Sequence, residues 1–195
     1  PVVSGTDVIK AFSKIGFYPV SQTGSHVDNN IFHHSRFILS NSGDYIMIVR
    51  FETTYEDGYW SASAIGYSIF TDGETFEELL KNIEEAVLLY FEDEVEPNEQ
   101  ITIQTQITHQ VHHVATLPVV SSTDIIRVLK KLGYSFVHQR GSHIKMVKQT
   151  DQGNHIVIIP FRTEKRQRTL NNILNDIANH NDMTKQELIA LFLRG

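Results

Sequence analysis

The sequence contains no cysteine, so it can form neither a disulfide framework nor a thiolate metal site. Apolar stretches such as 156–159 also fall far short of the roughly 20 residues that a membrane-spanning helix needs. No charged and then apolar leader opens the sequence. These absences predict a folded protein of a reducing compartment, and we expect it in the cytoplasm.

The charges are distributed very unevenly along the chain. Residues 45–110, here called the acidic segment, carry 2 Lys and Arg against 14 Asp and Glu, a net charge of −12. Residues 118–195, the basic segment, carry 12 Lys and Arg against 6 Asp and Glu, a net charge of +6. Residues 1–44 carry 3 of each sign and have no net charge. Opposite charges on adjacent segments favour mutual docking, although either excess alone is also typical of a solvated surface.

An internal repeat marks the candidate domain boundaries. Residues 1–27 read PVVSGTDVIKAFSKIGFYPVSQTGSHV, and residues 118–144 read PVVSSTDIIRVLKKLGYSFVHQRGSHI. The two stretches align without a gap at an offset of 117, with about half of the positions identical. Because the unit occurs twice and far apart, it indicates a duplication and not a solenoid. We therefore predict three parts, at 1–44, 45–110 and 118–195.

Local patterns predict a small α+β unit in the basic segment. A helix with Ile125, Leu129 and Leu132 on one face ends near Gly133. Three strands then follow at about 134–139, 144–149 and 155–160. A second helix begins near Thr169, and Thr184 with Glu187 forms a capping box for a short third helix. The order helix, three strands, helix matches a double-stranded-RNA-binding-domain-like α-β-β-β-α layout.

The acidic segment has a different order of elements. Strands are predicted at 45–52, 58–64 and 67–70, followed by a helix that starts at a Thr75 and Glu78 capping box. The expected apolar face of this helix comprises Phe76, Leu79, Leu80, Ile83, Val87 and Phe91. A last strand at 101–108 completes a compact β-β-β-α-β domain.

Motifs in the basic segment resemble those of the HicA mRNA interferase family. They are 118–121 (PVVS), 132–134 (LGY), 141–143 (GSH), 159–160 (IP) and the helix pattern at 169–174, in the family's order. The resemblance covers essentially all of residues 118–195. It implies a toxin of a toxin-antitoxin system that acts as a metal-independent endoribonuclease.

The acidic segment resembles the HicB antitoxin domain through 57–63 (DGYWSAS), 72–78 (DGETFEE) and 83–86 (IEEA). The resemblance implies that this segment binds and inhibits the toxin part. Only about ten residues separate the last strand from Pro118, which leaves no room for the DNA-binding module usual in that family, so DNA binding is not predicted. The N-terminal copy enters the acidic segment before a second helix could form, and we interpret it as a truncated, inactive HicA-like fragment.

His143 is the candidate catalytic residue. RNA can be cleaved without metal when a base removes the 2′-hydroxyl proton, and the unperturbed pKa of histidine near 6.5 suits this task. A hydrogen-bonded strand histidine without catalytic role is the alternative. Candidate RNA-binding residues are those that allow close approach, offer a hydroxyl for hydrogen bonding or carry positive charge: Gly141, Ser142, Arg140, Lys145, Lys148, Arg162, Lys165 and Arg168.

No metal and no cofactor are expected. The histidines at 33, 34, 109, 112 and 113 raise the question of a metal site, but no carboxylate or cysteine stands at a diagnostic spacing beside them. The aromatic residues Tyr59, Trp60, Tyr90 and Phe91 lie in acidic surroundings, which favours core packing or partner contact over base stacking.

The expected partners are RNA, through residues 118–195, and the acidic segment of the same or another chain, and a homo-oligomer is expected. A non-catalytic RNA-binding, regulatory or assembly protein derived from a toxin-antitoxin pair is the competing hypothesis. Intact Gly141, Ser142 and His143 favour the enzyme, whereas the truncated N-terminal copy favours the alternative.

Overall fold

The computed structural model describes residues 22–23, 26–27, 37–39, 45–94, 100–108, 120–151, 153–161 and 167–193. Within these ranges the protein is mixed α+β, with a mixed sheet and four helices. No helix in them is long and apolar enough to cross a membrane.

Most strands follow one another in runs that are separated by single helices, and two helices end the described chain. The first short strands are β1 (Gln22–Thr23), β2 (His26–Val27) and β3 (Phe37–Leu39). The acidic segment contributes β4 (Tyr45–Glu56), β5 (Tyr59–Ala64), β6 (Ser68–Gly73), α1 (Phe76–Tyr90) and β7 (Ile101–Ile107). The basic segment contributes α2 (Ser122–Lys131), β8 (Ser135–Arg140), β9 (His143–Thr150), β10 (Gly153–Pro160), α3 (Gln167–His180) and α4 (Lys185–Leu193).

Strands of the acidic and basic segments form one sheet. Its order is β3-β4-β5-β6-β10-β9-β8, and β7 pairs in parallel with β4. The segments meet where β6 pairs in parallel with β10, through Ser68 with Val157 and Ile69 with Ile158. We call this strand pair, with the helices packed over it, the junction. Charge and composition predicted docking between the segments but gave no sign of a shared sheet.

Capping boxes set the starts of α2 and α4, and the sequence predicts the box of α4 at Thr184 and Glu187. Ser121 accepts a hydrogen bond from the backbone N–H of Asp124, whose carboxylate accepts from the backbone N–H of Ser121, so the capping box is complete. Gly133 follows the helix with φ +90°, a backbone conformation that favours glycine. Thr184 and Glu187 exchange the corresponding bonds before α4.

The start of α1 differs slightly from a capping box. Thr75 accepts from the backbone N–H of Glu78, but the Glu78 carboxylate accepts from the backbone N–H of Glu74 and not of Thr75. The predicted apolar face of this helix is wrong at Leu80, which is 41% exposed. Ala86 and Leu89 are buried in the same helix.

Two buried cores lie on opposite faces of the sheet, and each includes one buried residue of the other segment. Phe70 of the acidic segment packs among the core residues of the basic segment, including Ile144 and Leu170. Ile158 of the basic segment packs into the core of the acidic segment with Ile69 and Ile83. The junction is therefore built as a protein interior is built, with side chains interdigitated across it.

The helices cover opposite faces of the sheet and both extend over the junction. Helix α1 of the acidic segment contacts β8, β9 and β10, whereas α3 of the basic segment contacts β5 and β6. Each segment thus supplies a helix to the other segment's strands.

The short strands β1 and β2 form an antiparallel hairpin. Gln22 pairs with Val27 and Thr23 with His26. In the basic segment Gln139 pairs with Ile144 and Arg140 with His143, the same register at the offset of 117. Most of residues 1–44, predicted to be the truncated fragment, lie outside the described residues.

Candidate functional site

His143 begins β9 directly after the tight turn at Gly141 and Ser142. Its side chain is 0% exposed, because α1 of the acidic segment covers this face of the sheet. On the same face of β9, Lys145 is also buried at 2% exposure, as strand alternation predicts for two residues of one face. Two of the sequence candidates on this strand are therefore closed off from solvent by the acidic segment.

Glu85 of α1 makes the central contact with this turn. One carboxylate oxygen, Oε1, accepts from the backbone N–H of Ser142 at 2.7 Å and from the Ser142 hydroxyl at 3.1 Å. The same oxygen lies 2.6 Å from Nδ1 of His143. We call these bonds the Glu85 contact. Because a carboxylate only accepts, the contact requires the proton on Nδ1 of His143.

Thr71 of β6 binds the other side of the imidazole. Its hydroxyl lies 2.8 Å from Nε2 of His143. With Nδ1 directed at Glu85, both ring nitrogens are engaged by residues of the acidic segment. A base in this position cannot reach a substrate proton, since proton transfer requires hydrogen-bond distance to the substrate.

The Glu85 contact also changes the acidity of the carboxyl group. Burial raises the pKa of Glu85, but the hydrogen bonds from His143 and Ser142 and the charge of His143 outweigh it, so the pKa lies below the ordinary value of 4.5. At neutral pH the group is therefore ionised and accepts all three bonds.

Gly141 allows the carboxylate to approach. Its φ is +51°, and a Cβ atom built on it would overlap Oε2 of Glu85. Any larger residue would meet both backbone strain and the Glu85 side chain. The close approach that the sequence predicts at this glycine is made here by a carboxylate of the same chain.

Lys145 makes a second set of contacts with the end of α1. Its ammonium lies 2.8 Å from Oε1 of Glu92 and 3.1 Å from Oδ2 of Asp93. The other oxygen of Glu92 lies 3.1 Å from Nε2 of His138 on β8. We call the bonds of Lys145 to these two carboxylates the Lys145 contact. Lys145, which the sequence predicts as an RNA-binding residue, is buried here against two carboxylates of the acidic segment.

Residues 122–178 match the family model described as HicA toxin of bacterial toxin-antitoxin. The matched range begins with α2, contains the turn at 141–143, and ends in α3. A search of curated proteins and a search of solved structures gave no significant match to the chain. The HicA match covers the helix, three antiparallel strands and second helix of the basic segment, and this region fits a double-stranded-RNA-binding-domain-like fold.

Of the other described sequence candidates of the HicA-like region, Arg140 pairs with His143 across β8 and β9, whereas Lys148 and Arg168 lie away from it. Arg140 is exposed at the end of β8. Lys148 donates to Asn181 at 2.6 Å and lies over the Tyr134 ring, on the other face of the sheet. Arg168 is half-buried in the first turn of α3. Arg162 and Lys165 lie outside the described residues.

Neutral polar contacts join α3 to the acidic segment on that other face. The Thr169 hydroxyl donates to Ser61 at 3.1 Å, and the Asn172 amide donates to Ser63 at 3.1 Å. One helical turn further, Ser68 donates to Asp176 at 3.0 Å. Thr169, Asn172 and Asp176 lie along one stripe of α3, and each bonds to a serine of the acidic segment. We call these three hydrogen bonds the serine row.

Sequence reasoning missed Thr71 and could not distinguish Glu85 from the other carboxylates of α1. Glu85 stands in the 83–86 motif that carries the HicB resemblance, and Thr71 directly precedes the 72–78 motif. Their position next to two motifs was the available signal. The predicted core or contact role of the aromatics is seen for Phe91, 1% exposed, and for Trp60, whose ring lies between those of Tyr55 and Phe76.

Proposed function

We propose that this chain is a toxin-antitoxin protein in which the HicA-like region cleaves RNA with His143 and the acidic segment holds it inactive. The match at residues 122–178 supports an RNase-type toxin. The Glu85 contact carries the proposal of inhibition, because its carboxylate occupies Nδ1 of His143 and the helix that bears it buries the candidate base completely. The acidic segment then acts as a HicB-like antitoxin in cis.

The proposed chemistry is general base and acid catalysis without metal. Once the acidic segment is displaced, His143 gains access to a 2′-hydroxyl of the RNA. Nε2 of His143, which lies beside Thr71 in the covered state, then takes the proton of this hydroxyl. The 2′-oxygen then attacks the adjacent phosphorus and the P–O5′ bond breaks, which leaves a 2′,3′-cyclic phosphate, while the departing 5′-oxygen takes a proton from the protonated imidazole or from water. Lys145, released from its two carboxylates, supplies positive charge near the developing phosphorane.

Competition between carboxylates and phosphates is the proposed basis of inhibition. The Glu85 and Lys145 contacts direct three carboxylates of the acidic segment at groups that would otherwise meet an RNA backbone. The contacts of one chain act at a high effective concentration, so the covered state is the resting state. Arg140, Arg162, Lys165 and Arg168 are the remaining candidates for phosphate contact, with Gly141 and Ser142 in the turn and Lys148 on the other face.

The catalytic role is tested with the basic segment alone. We expect residues 118–195 to cleave single-stranded or loop RNA in the presence of a chelator, and His143→Ala to abolish cleavage while circular dichroism remains unchanged. His138→Ala, on the neighbouring strand, is the matched control and should keep activity. A His143→Ala variant as active as its parent would remove His143 from this role.

Inhibition is tested by growth arrest and RNA decay in cells. We compare the full chain, residues 118–195 alone, and those residues co-expressed with 45–110. Toxicity only from the isolated basic segment, relieved by the acidic segment, is expected. Equal activity in all three would contradict the proposal.

One structural observation favours a non-catalytic assembly protein as the second candidate. Phe70 and Ile158 are exchanged between the two cores, which is typical of permanent and not of reversible contacts. If the segments never separate, the chain binds partners without cleaving RNA. Failure of the isolated, folded basic segment to cleave any RNA, together with RNA binding by the full chain, would favour this candidate.

The oligomeric state and the role of the N-terminal copy also remain proposals. We expect a homo-oligomer, to be measured by light scattering. A protein that ends before Tyr45 should not cleave RNA. RNA cleavage by this protein that disappears in its His26→Ala variant would contradict this expectation.

A further inference from the structure

A second cluster of titratable side chains lies on the face of the sheet opposite His143. It consists of His155 on β10 and of Asp176 and His180, four residues apart on α3. Their ligand-type atoms all lie within 4.8 Å of one another. The two imidazoles are stacked, with ring centroids 3.5 Å apart and an interplanar angle of 9°.

The Asp176 carboxylate is only partly satisfied. Oδ1 accepts from Ser68 at 3.0 Å, whereas Oδ2 is buried and has no hydrogen-bond partner among the described residues. Nε2 of His155 lies 3.7 Å from Oδ2, beyond hydrogen-bond distance. A buried carboxylate oxygen without a donor is costly, and a cation is the ligand that would satisfy it.

His155 is prepared as a ligand. Burial, together with the charges of His180 and Lys148, lowers its pKa to about 4, so the ring is neutral at pH 7. Its Nδ1 lies 2.6 Å from the Tyr134 hydroxyl, which in turn accepts from Asn181 at 3.2 Å. Metal-binding histidines usually have a partner at the second ring nitrogen that fixes the ring, and Tyr134 holds that position.

We propose that His155, Asp176 and His180 bind a divalent transition-metal ion, with Zn²⁺ as the best match. Two imidazoles and one carboxylate are a ligand set that suits Zn²⁺ and its first-row neighbours. His180 is 47% exposed, whereas His155 and Asp176 are half-buried, so the His180 ring is free to rotate and close the site around an arriving ion. The fourth position stays open to water.

The ion replaces a contact of the junction. Nε2 of His155 is the ligand atom nearest to Asp176, and it now lies 2.9 Å from the Ser68 hydroxyl of the acidic segment. Because the Ser68 hydroxyl gives its only hydrogen to Asp176, Nε2 carries a proton and donates it to this hydroxyl, so a metal ion binds Nε2 only when this proton leaves and the bond to Ser68 is lost. Metal binding therefore removes one contact that the acidic segment makes with the basic segment.

The test uses the untagged full chain, with Zn²⁺ binding followed by calorimetry and Co²⁺ binding by visible absorption. We expect one ion per chain and a loss of affinity of at least about tenfold in His180→Ala and in Asp176→Asn. His112→Ala with His113→Ala is the matched control and should bind as the parent does. Equal binding by the parent and both site variants, or loss only in the control, would overturn the site.

Ser68→Ala tests the replacement. Without the competing hydroxyl, the affinity for Zn²⁺ should increase about fivefold, the equivalent of one hydrogen bond. An unchanged or lower affinity would overturn the replacement. Metal binding is measured without RNA, so these results are independent of whether the basic segment is a nuclease.

Discussion

The two faces of the sheet join the same two segments by different chemistry. On the α1 face, carboxylates of the acidic segment contact a histidine and a lysine through the Glu85 and Lys145 contacts. On the α3 face, the serine row consists mainly of neutral hydroxyl and amide bonds. The α1 face is thus suited to competition with phosphate and to a response to salt or pH, whereas the α3 face maintains the position of the helix.

The strand pair β6 and β10 lies between the two faces, and the contacts on both faces depend on it. Phe70 is 4% exposed and packs in the basic core, so Phe70→Ala should lower the free energy of unfolding of the full chain by about 3–5 kcal/mol. Chemical denaturation measures this. Phe136→Ala, at an exposed position of β8, is the control. A loss as small as that of the control would mean that the faces, and not the shared core, hold the segments together.

Removing Glu85 should affect the α1 face alone. Glu85→Ala leaves the Ser142 N–H, the Ser142 hydroxyl and Nδ1 of His143 without their acceptor, and we expect a loss of about 1–3 kcal/mol in the free energy of unfolding. RNA cleavage by the full chain should increase. Its neighbour Glu84 is exposed, so Glu84→Ala should change neither quantity. Equal RNA cleavage by the Glu85→Ala and Glu84→Ala variants would show that the Glu85 contact does not contribute to inhibition.

The α3 face should respond more weakly. Ser61→Ala removes the acceptor of the buried Thr169 hydroxyl and should lower the free energy of unfolding by about 0.5–1.5 kcal/mol. RNA cleavage by the full chain should remain at its resting level. An increase in cleavage as large as that of Glu85→Ala would show that the two faces do not act separately.

The smallest effect concerns pH. Because the pKa of Glu85 is lowered in the folded state, its stabilising contribution is complete above about pH 4.5 and is lost as the pH falls through the folded-state value. The difference in unfolding free energy between the parent and Glu85→Ala should therefore shrink between pH 5 and pH 3. A difference that stays constant or grows would contradict the assigned protonation.

Local structure could be predicted because local residues determine it. The sequence predicts Gly133 to end α2 and Thr184 with Glu187 to begin α4, and both do so. The pairing of β6 with β10 had no such signal, since parallel pairing of distant strands depends on side chains that meet only in the folded protein. For the same reason the exchange of Phe70 and Ile158 could not be foreseen.

The sites were predictable to different degrees. His143 followed from the Gly-Ser-His motif, and the charge difference indicated the sign of its partner but not which carboxylate would reach it. The cluster of His155, Asp176 and His180 was missed, although two residues four apart on a predicted helix lie on one face. The third member comes from a strand, and its approach depends on the packing of α3 on the sheet.

The central claim is that the acidic segment restrains RNA cleavage by covering His143. The most direct measurement adds separately produced residues 45–110 to residues 118–195 and follows RNA cleavage. A full chain cut at a protease site inserted within 109–119 serves if the basic segment does not fold alone. We predict inhibition that is complete near one equivalent and is strongly weakened when 45–110 carries Glu85→Ala with Glu92→Ala. Cleavage unaffected by the parent acidic segment, or inhibited equally by the variant, would contradict the account.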